Sequence, residues 1–293
     1  MQKKFISAVG ATVIMALATV GCGDDTAEEG SPATNVTLPS QSADYAYPTG
    51  DDDFVLAYSE LGGFVTREVA FQRAPSIVVS GDGRVFTPGA QIAIYPGPLL
   101  PAIDVRTISE VGIQRLLAAA DEAGLLADVE YDDVDNIADA STASVTINAE
   151  GQPWVHEAYA LAIGRGPGEL NASNSPEREQ LSDFLASLSD LSQLVGADEL
   201  GQSESYQSAE YAIEAVVVTD PADFANSGID PTIVAWPADA TTRLADAQQC
   251  VLISADEFRS VLESANQLTF FSDDDVTYQV LVKLVFPGSN CTL

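Results

Sequence analysis

Histidine occurs once in the 293 residues, at position 156, and lysine only at positions 3, 4 and 283. Each scarcity removes a class of chemistry. With Cys250 and Cys291 the single histidine falls short of a tetrahedral zinc set, and it alone could complete a Ser or Cys catalytic arrangement. No G-x-S-x-G elbow accompanies it. His156 sits in "PWVHEAYAL", where Trp154, His156, Ala158 and Ala160 share one strand face, the setting of a structural or surface histidine. No Gly-rich phosphate loop follows a strand and opens a helix, and the methionines are confined to positions 1 and 15, so nucleotide chemistry and a Met-lined groove are unsupported. Basic residues number 12 against 44 acidic, a formal charge of −32, which repels phosphates and disfavours nucleic-acid binding.

The one long apolar run lies at the start of the chain. Lys3 and Lys4 precede an uncharged stretch from Phe5 to Val20, too short to span a bilayer comfortably. It stops at Gly21-Cys22, ahead of Gly23-Asp24-Asp25. An ordinary signal peptide cut elsewhere, or a cysteine in a core helix, would be alternatives, but a core helix would not run on into so acidic a stretch.

Thr19-Val20-Gly21-Cys22 resembles the lipobox of bacterial lipoproteins, with Thr where Leu is commoner. The resemblance implies a signal peptide over 1–21, cleavage before Cys22 and a lipid on its sulfur. Removing Lys3 and Lys4 then leaves 10 basic residues against 44, a charge of −34. The expected location is extracytoplasmic, anchored to the cell membrane. Two acyl chains suffice for stable anchoring where one would be marginal. Residues 22–50, rich in Asp, Glu, Ser, Thr, Pro and Gly, read as a flexible acidic tether with a reach of about 30 Å. Asn35-Val36-Thr37 is a weak sequon match. With Cys22 lipidated, Cys250 and Cys291 form an even remainder outside the cytoplasm, expected to pair as a disulfide contributing about 4 kcal/mol.

Beyond the tether the pattern is α+β, with 46% hydrophobic residues supplying ample core. Phe54, Leu56 and Tyr58 alternate as a strand, and Val65, Val69 and Phe71 continue the pattern after Gly62-Gly63. Asp82-Gly83 signals a hairpin with both central residues at positive φ. "QIAIYPG", residues 91–97, reads as another strand. Ser109 caps a helix with Ile113, Leu116, Leu117 and Ala120 on one face, ending near Gly124. Two strands surround Glu150-Gly151. A second helix begins at Ser175-Pro176, carries Leu181, Phe184, Leu185, Leu188 and Leu191, and closes at Gly196.

The second half repeats the order. "IVAWPAD" at 233 echoes "IAIYPGP" at 92, and "ISADEFRSVLESANQLTFF" at 253 echoes "ISEVGIQRLLAAADEAGLL" at 108. Ile108 with Ile113 and Ile253 with Phe258 are staple pairs, and Ser254 with Glu257 forms a capping box. A closing strand pair containing "VTYQVLVKLVF" follows, in which Lys283 reads as an edge-strand charge that discourages aggregation, or, if desolvated, as a base. The expected architecture is two related lobes, 51–196 and 197–293, each a mostly antiparallel sheet packed on one or two helices. Gly81-Asp82-Gly83-Arg84-Val85, the Ser109–Leu126 helix and Asp139-Ala140-Ser141-Thr142 together resemble a unit of uncharacterised bacterial, especially actinobacterial, envelope lipoproteins. The likeness spans about residues 53–195 and implies an address and an α+β unit, with no activity.

Asp128, Glu130, Asp132, Asp133, Asp135 and Asp139 supply hard oxygen ligands suited to calcium, but without the glycine and glutamate spacing of an EF-hand; a solvated acidic loop is the plainer reading. Carboxylate pairs suited to glycosidase work carry no information in so acidic a chain. The residues point to a non-catalytic module that needs no cofactor and binds or scaffolds an envelope protein, glycan or small ligand. A carboxylate hydrolase acting on the envelope and a calcium-stabilised adhesion module are the competing readings.

Overall fold

The computed structural model describes residues 44–135, 137–161, 163, 175–226 and 228–291. Cys22, Asn35 and most of the expected tether lie outside them. The first half comprises β1 (Phe54–Gly62), α1 (Arg67–Gln72), β2 (Ile77–Ser80), β3 (Arg84–Pro88), β4 (Ile103–Thr107), α2 (Glu110–Glu122), β5 (Ser141–Ala149), β6 (Gln152–Tyr159), α3 (Pro176–Ser187) and α4 (Leu191–Val195). The second comprises β7 (Glu204–Ser205), β8 (Glu210–Val217), β9 (Thr232–Ala235), β10 (Val251–Ser254), α5 (Ala255–Glu263), β11 (Thr269–Asp273) and β12 (Val276–Leu284). These form an α+β fold with two mostly antiparallel sheets, ordered β6-β5-β1-β2-β3-β4-β7 and β10-β8-β12-β11-β9. Among the described residues β9 with β11 is the one parallel pair.

Strand alternation sends each side of the first sheet to a different core. Val79 and Val85, opposite one another, join Leu56, Val145 and Ile147 beneath the buried faces of α2, α3 and α4. The neighbouring pair Val78 and Phe86 points the other way, into a second core with Ile213, Val282, Phe258 and Trp236 from the second sheet, α5 and the loop after β9. The two sheets share that core, and all the described residues belong to one compact unit. The boundary at 196/197 is crossed by pairing as well, since β7 adds to the edge of the first sheet beside β4.

α2 follows its expected chemistry. Ser109 accepts from the Gly112 N–H, Ile113, Leu116, Leu117 and Ala120 are buried, and Gly124 takes φ +74° while the Leu125 N–H closes on the Ala120 carbonyl. The Pro176 helix is interrupted: α3 ends at Ser187, a 3₁₀ turn covers Leu188–Asp190, and α4 restarts on an Asp190 cap. Several expectations differ. Residues 67–72 form a helix instead of a strand, because Thr66 offers an N-cap oxygen to Val69. Residues 91–97 form no strand. Gly83 alone carries positive φ in the β2–β3 loop, so this is a three-residue connection rather than a two-residue one. Ser254 makes no side-chain cap bond and the Glu257 carboxylate turns to the Thr241 N–H and hydroxyl, so neither half of the capping box forms. Residues 44–50, expected in the tether, dock on α2 and the β5–β6 turn: Gln114 bonds both backbone groups of Tyr45, and Ala46 exchanges bonds with Glu150.

The resemblance between halves stops at element order. After α2 the leading hairpin strand β5 pairs inward with β1, whereas after α5 it is the trailing strand β12 that pairs inward, with β8. Cys250 and Cys291 are joined, with Cα atoms 5.4 Å apart.

The β11–β12 turn offers a test. Asp274 and Asp275 both hold positive φ, 47° and 63°, which a type I′ turn requires but which disfavours residues bearing a Cβ. Both are exposed. Asp275→Gly is expected to raise the unfolding free energy by about 1 kcal/mol in urea titrations, the lower end of the cost of a left-handed residue bearing a Cβ, since aspartate tolerates the conformation better than most.

Candidate functional site

A cavity lined by residues of both sheets opens between them. Along β1 and β5 the pairs Ala57–Thr146 and Ser59–Ser144 place methyl and hydroxyl groups on the face turned away from the helices. Phe54 and Phe286 supply aromatic walls, and Lys283 comes from β12. The cleft is about 420 Å³, in the range of small-molecule sites. A more open depression of about 500 Å³ lies beside Asp52 and Asp53, and a smaller one of about 290 Å³ beside Arg259 and Glu263.

A strap containing α1 covers the cleft. Gly62 and Gly63, at φ +65° and +85°, turn the chain out of β1, and Arg73 donates to the Glu60 and Gly62 carbonyls at 2.7 and 3.1 Å, tying the returning chain to its point of departure. α1 has no buried residue, and it rests on the second sheet through side-chain contacts to β12 and β8. The Phe71 ring lies 5.3 Å from the Lys283 Nζ, and Arg67 reaches to 2.5 Å from the carboxylate of Glu214, which is itself buried on β8. The outer side of the strap is apolar: Phe64 is 89% exposed, with Leu61, Val65 and Val69 beside it.

β12 lies between β8 and β11, but β11 pairs with it only at Val276–Tyr278, so Lys283 itself is paired on one side, with Ala212 of β8. Burial pushes its ammonium below the ordinary lysine value. The cleft's acidic lining residue is Glu60. Its carboxylate, on the same side of β1 as Tyr58, accepts from the Tyr58 and Ser141 hydroxyls, both at 2.5 Å. Glu214, Phe71 and Arg73 were missed as site residues. The capping sequence Thr66-Arg67-Glu68-Val69 was the available sign that this segment is helical; nothing local marks Glu214 as buried.

The other sequence candidates stand apart from the cleft. His156 is 1% exposed under α2; its Nε2–H donates to the Leu125 carbonyl, so Nδ1 accepts from the Tyr131 hydroxyl, each at 2.9 Å. Burial lowers the histidine pKa and raises that of Tyr131 to about 12. Arg178, 3% exposed, donates to the Asp132 and Tyr159 carbonyls and fastens the acidic loop. Among the described residues no three His, Cys, Asp or Glu side chains converge on a possible metal position, so Asp128, Glu130, Asp132, Asp133 and Asp135 are not gathered. Asp139 instead holds positive φ where its carbonyl accepts from the Phe64 N–H.

The histidine makes stability pH-dependent. Its folded pKa is depressed, so the unfolded chain takes up the proton first, near pH 6.5. The contribution of neutral His156 is full above that pH and declines as pH falls below it. Relative to His156→Gln, the protein is expected to lose up to about 1.4 kcal/mol per pH unit as pH falls below roughly 6.5; parallel curves for the two proteins would refute this.

Comparison with protein-family models, curated proteins and solved structures returns no match. No helix among the described residues is long and apolar enough to cross a membrane.

Proposed function

We propose that this is a lipid-anchored, extracytoplasmic binding module, attached through Cys22 and holding a small apolar ligand in the cleft between its sheets. The observation that carries the binding role is the cleft itself: an aromatic-walled space of about 420 Å³ under a strap with no buried residue. Its lining includes one acid, whose oxygens are engaged by hydroxyls, which favours binding over a pair of catalytic carboxylates. The anchor rests on the Thr19–Cys22 sequence, and an oxidising location accords with the Cys250–Cys291 pair. Envelope proteins and glycans are the partners such a location would offer; nucleic acid is disfavoured by charge.

Titration with the fluorescent apolar amine N-phenyl-1-naphthylamine tests the cleft. One saturable site is expected, weakened at least about tenfold by Ser59→Trp, whose indole fills the space. Absence of saturable binding, or equal binding by the variant, would exclude the cleft. The anchor is tested separately: radiolabelled palmitate should enter the protein and not Cys22→Ala.

A further inference from the structure

We infer that the open edge of β9 receives an extended segment of another protein, apolar at alternate positions and basic at both ends. This surface is separate from the cleft, to which β9 contributes no lining residue. β9 forms one side of the second sheet and, among the described residues, pairs only with β11. The Thr232 and Trp236 N–H groups donate to the Leu268 and Ser272 carbonyls, so the alternation of the parallel ladder turns the N–H and C=O groups of Ile233 and Ala235 outward. Every residue of β9 is exposed and none is charged. The other edges are protected: β6 carries Pro153 and an exposed Glu157, β7 is two residues long and includes Glu204, and β10 begins at the Cys250–Cys291 bond. Pro231 and Pro237 bracket β9 and confine an added strand to residues 232–236.

The side chains define what that strand carries. Ile233 is 55% exposed and Val234 39%, on opposite faces of the sheet. Phe224, tilted against Phe270 at 5.0 Å, widens the apolar surface beside Ile233, whose β11 neighbour is Phe270. Apolar residues at alternate positions of an incoming strand would pack along that row. Charge sets the ends. Residues 220–242 hold Asp220, Asp223, Asp230 and Asp239, all exposed, and no lysine or arginine. Asp230 precedes the strand and Asp239 follows it, while Arg243, the next base along the chain, is paired with Asp273 and Asp274. A second copy of this chain is the poorer occupant, because pairing antiparallel about Val234 would bring Asp230 of each copy beside Asp239 of the other. Lysines or arginines flanking an apolar centre meet those acids instead.

The test is an anisotropy titration of fluorescein-labelled Lys-Lys-Thr-Val-Thr-Val-Thr-Lys-Lys with purified full-length protein. One saturable site is expected. Binding should be at least about tenfold weaker for the counterpart with Glu in place of Lys, and for a Lys-flanked peptide N-methylated at alternate residues, which keeps the charge and loses the donors. Ala235→Pro removes an outward N–H that β11 does not use and should weaken binding at least about tenfold with the near-ultraviolet circular dichroism unchanged. Should that variant fail to fold, Ile233→Lys, a change at an exposed side chain, sets a like charge against the peptide and should give the same loss. Absence of saturable binding, or equal binding by the Glu-flanked peptide, the N-methylated peptide or the edge variant, would overturn the proposal. Self-association in sedimentation that Ala235→Pro abolishes, without peptide binding, would assign the edge to a second copy and overturn it equally. None of these outcomes depends on whether the cleft binds a ligand.

Discussion

Replacing Cys250 and Cys291 together with serine is expected to lower the unfolding free energy by about 4 kcal/mol, the chain-entropy value for a loop of this length. The bond joins the residue just before β10, an edge strand, to a point seven residues beyond the end of β12. The segment it fastens includes Phe286, Pro287 and Ser289, which line the cleft. Phe54 packs where a side chain at Gly288 would lie. Loss of the bond should therefore loosen one wall of the site as well as the fold. Urea titrations of the double variant and of the unaltered protein, with and without reductant, measure the effect. The double serine protein should match the reduced native protein, and a difference from the oxidised protein below about 0.5 kcal/mol would show that the segment is held without the bond.

A loss of about 3 kcal/mol is expected for Asp273→Ala. The Asp273 carboxylate, buried at the end of β11, accepts from the Leu244 N–H at 2.8 Å and from the Arg243 guanidinium. Through these bonds it pins the loop 236–247 against the β11–β12 turn, where the Trp236 Nε1–H donates to the Thr242 carbonyl and Trp236 stacks on Phe258. Alanine leaves a buried N–H without its acceptor and strips Arg243 of its closer carboxylate. Arg243 is partly exposed and keeps Asp274 at 3.0 Å, which holds the loss to the lower part of the range for broken buried pairs. Asp273→Asn should lose less, because the amide oxygen can still accept from Leu244. A loss under about 1 kcal/mol for the alanine variant would mean that water or Asp274 replaces these bonds.

What could be read in the sequence was what local chemistry decides. Ser109, the Ile113–Ala120 stripe and Gly124 specify α2 within one segment, and Glu150-Gly151 specifies its turn because two adjacent residues must both adopt positive φ. The disulfide followed from arithmetic on three cysteines. The errors arise where distant partners decide. Residues 65–71 mix apolar and polar positions at spacings that suit a short strand, and only Thr66 and the packing of Phe71 on Lys283 make them a helix. Nothing in "YQVLVKLVF" says that β8 will pair along its whole length while β11 pairs only at Val276–Tyr278, which leaves Lys283 flanked on one side. The same holds for residues 44–50, whose anchors Gln114 and Glu150 lie far along the chain. The cleft was illegible for this reason: its floor, roof and lysine come from β1, β5, α1 and β12, and no one segment carries its signature.

The claim that this cleft is the ligand site is tested most directly at Lys283. Reductive methylation with ¹³C-formaldehyde labels the one lysine beyond position 4, which gives a side-chain resonance of its own. Titrating N-phenyl-1-naphthylamine should shift that resonance by the ring current of a probe seated beside it, with the same saturation point as the fluorescence. A fluorescence titration that saturates while the Lys283 resonance stays fixed would place the probe elsewhere and contradict the account.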